Sequence, residues 1–151
     1  MKHVNKSVLL WYSPHEMFDL VANIESYPQF LPWCQKAEIL SRDDTSVTAK
    51  LHLSYAGVKQ SFTTHNRYEA GKTLEVALVD GPFSDLLGLW KFHALQGLGH
   101  EPGSACKIEF DLRYKFSHRS LELLVSPVFD RIANTFVDAF VKRAEEVYGP
   151  R

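Results

Sequence analysis

The residue types that carry chemistry are present in this chain, but their spacing does not combine them. Seven histidines are scattered along it, and zinc needs three or four convergent donors at ligand spacing. His52, His65 and His93 fall in segments that read as strands, where surface or hydrogen-bonded roles are expected. Cys34 follows Trp33 at a proline-rich corner. No His or Lys stands beside it to stabilise a thiolate, so it reads as a small buried hydrophobe. Asp111 and Arg113 lie on the solvent face of a strand, and no two carboxylates pair for general acid–base work. GxSxG, HExxH, a P-loop and a GxGxxG after a strand are all missing. The expectation is a non-enzymatic protein with no catalytic residue, metal site or catalytic cofactor.

Composition narrows the class further. A chain of 151 residues, 45% hydrophobic and 23% charged, fits one domain over 1–151 with a core of its own. The net charge of −1 gives no electrostatic excess for DNA or an anionic membrane. Two cysteines, Cys34 and Cys106, do not make a disulfide framework. The segment MKHVNKSVLLWYS is too short in apolar residues for a signal peptide, and no run approaches the ~18–20 apolar residues of a membrane span. A cytoplasmic protein, peripheral at most to the inner membrane, is expected.

The elements that must position any site are led by the last third of the chain. From Pro127 to Tyr148, Phe129, Ile132, Ala133, Phe136, Phe140, Ala144 and Val147 share one helical stripe. Ser126-Pro127 reads as N-cap and first helical position, and Gly149-Pro150 as the stop. Such a stripe needs something broad and apolar to lie on. His3 to Leu10 reads as a first strand. Ser13-Pro14-His15-Glu16 opens a helix with a capping box, turning Met17, Leu20, Val21 and Ile24 inward. Tyr27-Pro28 and Leu31-Pro32 break that pattern into two short helices.

Period two then takes over. Strands are expected at Lys36 to Ser41, Val47 to Tyr55, Lys59 to Tyr68, Thr73 to Val79, about Leu89 to Leu95, and Cys106 to Phe116. Turns fall at Arg42-Asp43-Asp44, Ala56-Gly57, Ala70-Gly71 and Gly97 to Ser104. Asp80-Gly81-Pro82-Phe83 interrupts, and Leu86-Leu87 reads as loop. Consecutive strands with helices segregated outside them predict an α+β fold with an antiparallel sheet curled around the long C-terminal helix. Pockets favour the gap that such a sheet leaves.

The run from Leu20 to Cys34, LVANIESYPQFLPWC, resembles the signature of the coenzyme Q-binding START-domain family, within the polyketide cyclase-like superfamily. So do Val79-Asp80-Gly81-Pro82-Phe83, Trp90-Lys91-Phe92, and the closing Ala139-Phe140, Arg143-Ala144 and Val147-Tyr148-Gly149. The likeness runs from about Ser7 to Gly149, and the bacterial branch is known as the ribosome-association toxin family. Asn23 departs from it, standing where the family usually has aspartate, and Gln96 to Ser104 is long for a hairpin. The resemblance implies the helix-grip fold. It also implies two functions: binding of ubiquinone or a similar polyprenyl lipid in support of respiratory electron transport, and association with the large ribosomal subunit. A fold alone does not choose between them.

For ligand binding, the expected lining from the sheet is Leu51, Leu53, Phe62, Leu78, Trp90 and Phe92, followed by Phe110, Leu112 and Tyr114. The helix would add Phe129, Ile132, Phe136 and Phe140. Pro82 and Phe83, with Leu86-Leu87, would form an apolar lip at the mouth, able with Tyr27-Pro28 and Phe30-Leu31-Pro32 to touch a bilayer. A polyprenyl tail gains about 25 cal/mol per Å² of apolar surface buried, so a few hundred Å² suffice. A ribosome contact would use Arg113, Lys115, His118 and Arg119, with Lys107 behind. A cyclase or dehydrase would need polar groups inside the cavity, and the inward positions read as nearly all apolar.

Overall fold

A computed structural model describes residues 1–95 and 104–151 of the chain. The turn expected over Gly97 to Ser104, like the long hairpin stretch from Gln96, lies outside the described residues except for Ser104. The elements run β1 (Lys2–Leu10), α1 (Pro14–Ala22), a 3₁₀ helix (Ile24–Gln29), β2 (Cys34–Arg42), β3 (Ser46–Tyr55), β4 (Val58–Glu69), β5 (Thr73–Asp80), β6 (Phe83–Leu95), β7 (Ala105–Phe116) and α2 (Arg119–Tyr148). The seven strands form one curved antiparallel sheet in the order β1-β7-β6-β5-β4-β3-β2. Each strand from β2 onward pairs with its neighbour in sequence, and β1 returns to the far edge of β7, Val4 opposite Leu112.

Local chemistry explains the entries and exits. Ser13 caps α1 by accepting the Glu16 N–H at 3.1 Å, while the Glu16 carboxylate accepts the Ser13 N–H at 2.9 Å. The inward face of α1 is Met17, Phe18 and Val21, with Leu20 only partly covered. Phe18 sits edge-on to Phe92 at 5.6 Å and Tyr68 at 5.8 Å. Asn23 ends α1 exposed, and its side chain makes no capping bond to the 3₁₀ helix that follows. Pro28 inside the next turn keeps that helix short and tight.

Two expectations about the helix need correction. α2 starts eight residues earlier than Pro127, behind His118 as N-cap, so Ser126 is no cap and Pro127 lies inside the helix. Its missing N–H frees a carbonyl one turn back, at Leu123, where the helix is exposed and water can take the bond. Ser126 instead joins a polar cluster. Lys2 from β1 and Tyr114 from β7 both reach the Asp130 carboxylate, and the Ser126 hydroxyl donates to it at 2.9 Å. At the other end Val147 is 48% exposed, not on the covered stripe. There Tyr148 donates to the Glu16 carbonyl at 3.0 Å, Tyr12 to the Gly149 carbonyl at 2.7 Å, and Arg151 grips the Glu16 carboxylate with both guanidinium nitrogens. On β3, the inward run Val47, Ala49, Leu51, Leu53 does not continue to Tyr55, which is 38% exposed.

The interruption at Asp80 is a single reversal at Gly81, whose φ of +152° few side chains tolerate. A Cβ there would lie 2.6 Å from the Phe62 Cβ and 3.2 Å from its Cα. Gly81→Ala is therefore expected to lose about 1–3 kcal/mol of stability, read as a lower urea midpoint with an unchanged slope.

Burial disfavours ionised Asp130, but the bonds from Lys2, Tyr114 and Ser126 outweigh it and hold the carboxyl below its ordinary value. A depressed carboxyl stabilises the fold fully above the unfolded value of about 4 and loses that effect as pH falls through the folded value. Asp130→Asn is expected to cost about 1–2 kcal/mol at neutral pH, allowing for partial exposure. Its melting temperature should converge on that of the parent as pH is lowered through the acid range, and parallel curves would show that the carboxylate is not the stabilising species.

Candidate functional site

Where α2 crosses the inner face of the sheet, two aromatic groups hold it. Phe129 packs on Tyr114 at 4.8 Å and Phe83 at 4.9 Å, with Phe62 and Phe116 each at 6.1 Å. Farther along, Phe136 and Phe140 are 5.0 Å apart and meet Tyr27 and Trp90. Phe110 lies 4.4 Å from Trp90 and 5.8 Å from Phe136. The neighbouring positions carry small residues: Ala133 on α2, Ala49 on β3 and Gly88 on β6. They leave a cavity of about 80 Å³. At Gly88 an added Cβ would meet only ordinary contacts, Leu112 and Val76 at 3.5 Å.

Eight of the expected lining residues surround this space: Leu51, Phe62, Trp90, Phe110, Leu112, Phe129, Ile132 and Phe136. Leu53, Phe92, Tyr114 and Phe140 are buried in the core beside it, and half-buried Leu78 lies outside the lining. Pro82 and Phe83 form no lip. β6 begins at Phe83, so the supposed loop is strand, and a bulge between Phe83 and Asp85 offsets its start. Phe83 is 5% exposed, Pro82 and Leu86 are buried, and Leu87 alone of the four faces outward. Tyr27 and Leu31 are buried too, which removes most of the apolar surface expected at a bilayer.

The cavity also takes residues not expected there. Ile24, Tyr27 and Trp33 reach it from the 3₁₀ segment and the proline corner, and Leu74, Val76, Leu86 and Gly88 from β5 and β6. Thr64 and Asn66 add polar groups to an interior that read as apolar. They share a face with Phe62 at period two, a signal present in the sequence. Asn66 is 5% exposed and its Oδ1 accepts the Thr64 hydroxyl at 3.0 Å. Val76 and Phe136 are the lining residues that keep partial exposure.

Reactive groups at the site are few. Tyr27 is the titratable side chain in the lining; burial raises its pKa, and its hydroxyl is committed to the Val21 carbonyl at 2.5 Å. Burial pushes the Cys34 thiol up to about 11 and the Cys106 thiol up to about 12, so both are protonated at neutral pH. No group of three His, Cys, Asp or Glu side chains suited to a metal occurs among the described residues. His52 pairs with Glu38 at 3.0 Å, His65 with Thr48 at 2.9 Å and His93 with Glu109 at 3.2 Å. Hydrogen bonds from His52 and Lys36 lower Glu38 to about 2.

The opposite face of β7 carries the basic residues. Arg113 lies 3.5 Å from Asp111 and Lys107 lies 3.4 Å from Glu109. Lys115 is exposed and in register with Asp85, and His118 and Arg119 are exposed beyond the strand. Acid and base alternate here. No helix among the described residues is long and apolar enough to cross a membrane.

A curved sheet gripping a long C-terminal helix, with an apolar cavity between them, defines a helix-grip protein of START type. Residues 10–141 match the family described as polyketide cyclase/dehydrase and lipid transport, and the chain belongs to that family. It is 38% identical over 147 residues to the ribosome association toxin RatA of Pseudomonas aeruginosa, covering 97% of this chain and 98% of that one. It is 27% identical to the mitochondrial coenzyme Q-binding protein COQ10 homolog B of Xenopus laevis, covering 96% of this chain and 59% of that one. The crystal structure of the Zhui aromatase/cyclase of Streptomyces sp. R1128 superposes with a TM-score of 0.75 at 16% identity, covering 95% and 93% of the two chains, a likeness of fold alone.

Proposed function

We propose that this protein binds, without catalysis, a hydrophobic ligand of the isoprenoid quinone class between the sheet and α2. The observation behind this is the cavity under α2, lined by Trp33, Trp90, Phe110 and Phe136 among aliphatic neighbours. The similarity to a protein named as coenzyme Q-binding points the same way. Polar work inside would need an acid, base or nucleophile, and the lining hydroxyls of Tyr27 and Thr64 are both committed, to the Val21 carbonyl and to Asn66. At about 80 Å³ the cavity is smaller than the ligand; an apolar cavity of roughly 150 Å³ admits benzene. Loading therefore requires the lining to yield. Val76 and Phe136, the lining residues that keep partial exposure, are where such an opening would lie.

Isoprenoid quinone is expected in organic extracts of the purified protein by mass spectrometry. Added ubiquinone should quench Trp33 and Trp90 fluorescence. Gly88→Leu, which grows a side chain into the void from a position with room for its Cβ, should lose both signals while keeping its thermal transition. Extracts without isoprenoid, together with no quenching, would remove this reading.

A second reading is association with the large ribosomal subunit, favoured by full-length similarity to a protein named as a ribosome association toxin. Arg113, Lys115 and Arg119 offer the basic contacts. RNA association of this kind weakens with salt as phosphate contacts are lost. Arg113→Glu with Lys115→Glu is expected to abolish cosedimentation with large subunits and leave quinone quenching unchanged. Cosedimentation that survives the double reversal would exclude this face as the contact.

A further inference from the structure

Resting on the proposed ligand reading and deepening it, we infer that Asn66 is the head-group anchor: it takes a carbonyl or similar acceptor oxygen of the ligand, which enters ring first with its tail trailing outward. Asn66 is 95% buried on β4, its exposure being 5%. Its carboxamide is half used. Oδ1 accepts from Thr64 at 3.0 Å, whereas Nδ2 donates to no described residue. Among the described residues no side-chain nitrogen or oxygen sealed from solvent lacks a partner, so Nδ2 is accessible, and Asn66 lines the void. With Oδ1 held by Thr64, the two N–H bonds of Nδ2 are left free for a ligand in the cavity that both residues line.

An amide donor in apolar surroundings is costly to leave unmade and strong once paired. A hydrocarbon tail packed against it would seal that cost in. A flat ring bearing an acceptor oxygen relieves it, and Trp90 and Phe110 at 4.4 Å from each other supply aromatic faces for such a ring. Space favours the same orientation: a void of about 80 Å³ has to widen far less to take the ring end than to take the whole ligand. The tail then leaves past the partly exposed Phe136 and Val76. Selectivity follows, because a ligand with an acceptor at its ring is distinguished from an equally oily one without it.

Calorimetric titration of the full chain with ubiquinone bearing two isoprene units, and with the hydrocarbon farnesene, tests the assignment. Asn66→Leu keeps the size and removes the donor, while Asn66→Asp keeps the shape and replaces the donor with an acceptor. Both variants should bind the quinone about tenfold or more weakly, and Asn66→Leu should hold farnesene at least as tightly as the parent. Quinone affinity unchanged in Asn66→Leu overturns the anchor, as does an equal loss for both ligands, which would report general damage to the cavity. A parent that binds farnesene but not the quinone overturns the anchor and leaves an apolar-ligand site standing. A parent that binds neither overturns both.

Discussion

The packing of α2 on the inner face of the sheet decides at once whether the chain folds and whether it stays hollow. The helix is seated by aromatic contacts around Phe129 and again around Phe136 and Phe140. Aromatic pairs of this kind contribute about 0.5–1.5 kcal/mol each beyond the area they bury. Polar ties outside the apolar stripe set its position: the Asp130 cluster toward one end, and Tyr12, Tyr148 and Arg143 toward the other. A helix held this firmly can tolerate small residues along its covered length. Leaving about 80 Å³ unfilled costs about 2 kcal/mol at roughly 24 cal/mol per Å³. One larger side chain at Gly88 would recover part of that, which makes the void an expense with an available remedy.

Much of the architecture was legible because periodicity reports it directly. The capping box at Ser13 and Glu16, the alternation of β7 and the stripe from Phe129 to Ala144 each follow from residue spacing. The errors came where a strong local signal was outweighed. Ser126-Pro127 is a good helix start, but the chain is already helical from Arg119, and solvent at that turn absorbs the loss of one hydrogen bond. Gly81-Pro82 is a good loop signal, but one reversal suffices, and Phe83 goes straight into the core.

The cavity was only half legible, for a different reason. Sequence shows which side chains face inward, not which of them meet. Phe92, Phe140 and Trp90 all read as inward, yet Phe92 is drawn under α1 by Phe18, Phe140 fills the space beside Tyr27, and Trp90 borders the void. That sorting depends on volumes summed across several strands and one helix. Thr64 and Asn66 were open to the period-two argument that placed Phe62. They escape a search for apolar lining because it passes over polar residues.

β7 separates the two functional readings physically. Ile108, Phe110, Leu112 and Tyr114 point inward, while Lys107, Glu109, Asp111, Arg113 and Lys115 alternate outward on the same strand. A ligand under α2 and an RNA on the outer face would never touch the same side chain of β7. Steric exclusion therefore cannot set one activity against the other; any coupling has to pass through the sheet itself. A ligand that wedges α2 outward would act through Tyr114, which touches Phe129 and Asp130 on the helix and stands next to Arg113 in the chain. The backbone of β7 is held from both edges by β1 and β6 along almost its whole length. That pairing resists transmission, so a contact on the outer face of β7 would be little affected by what lies under α2.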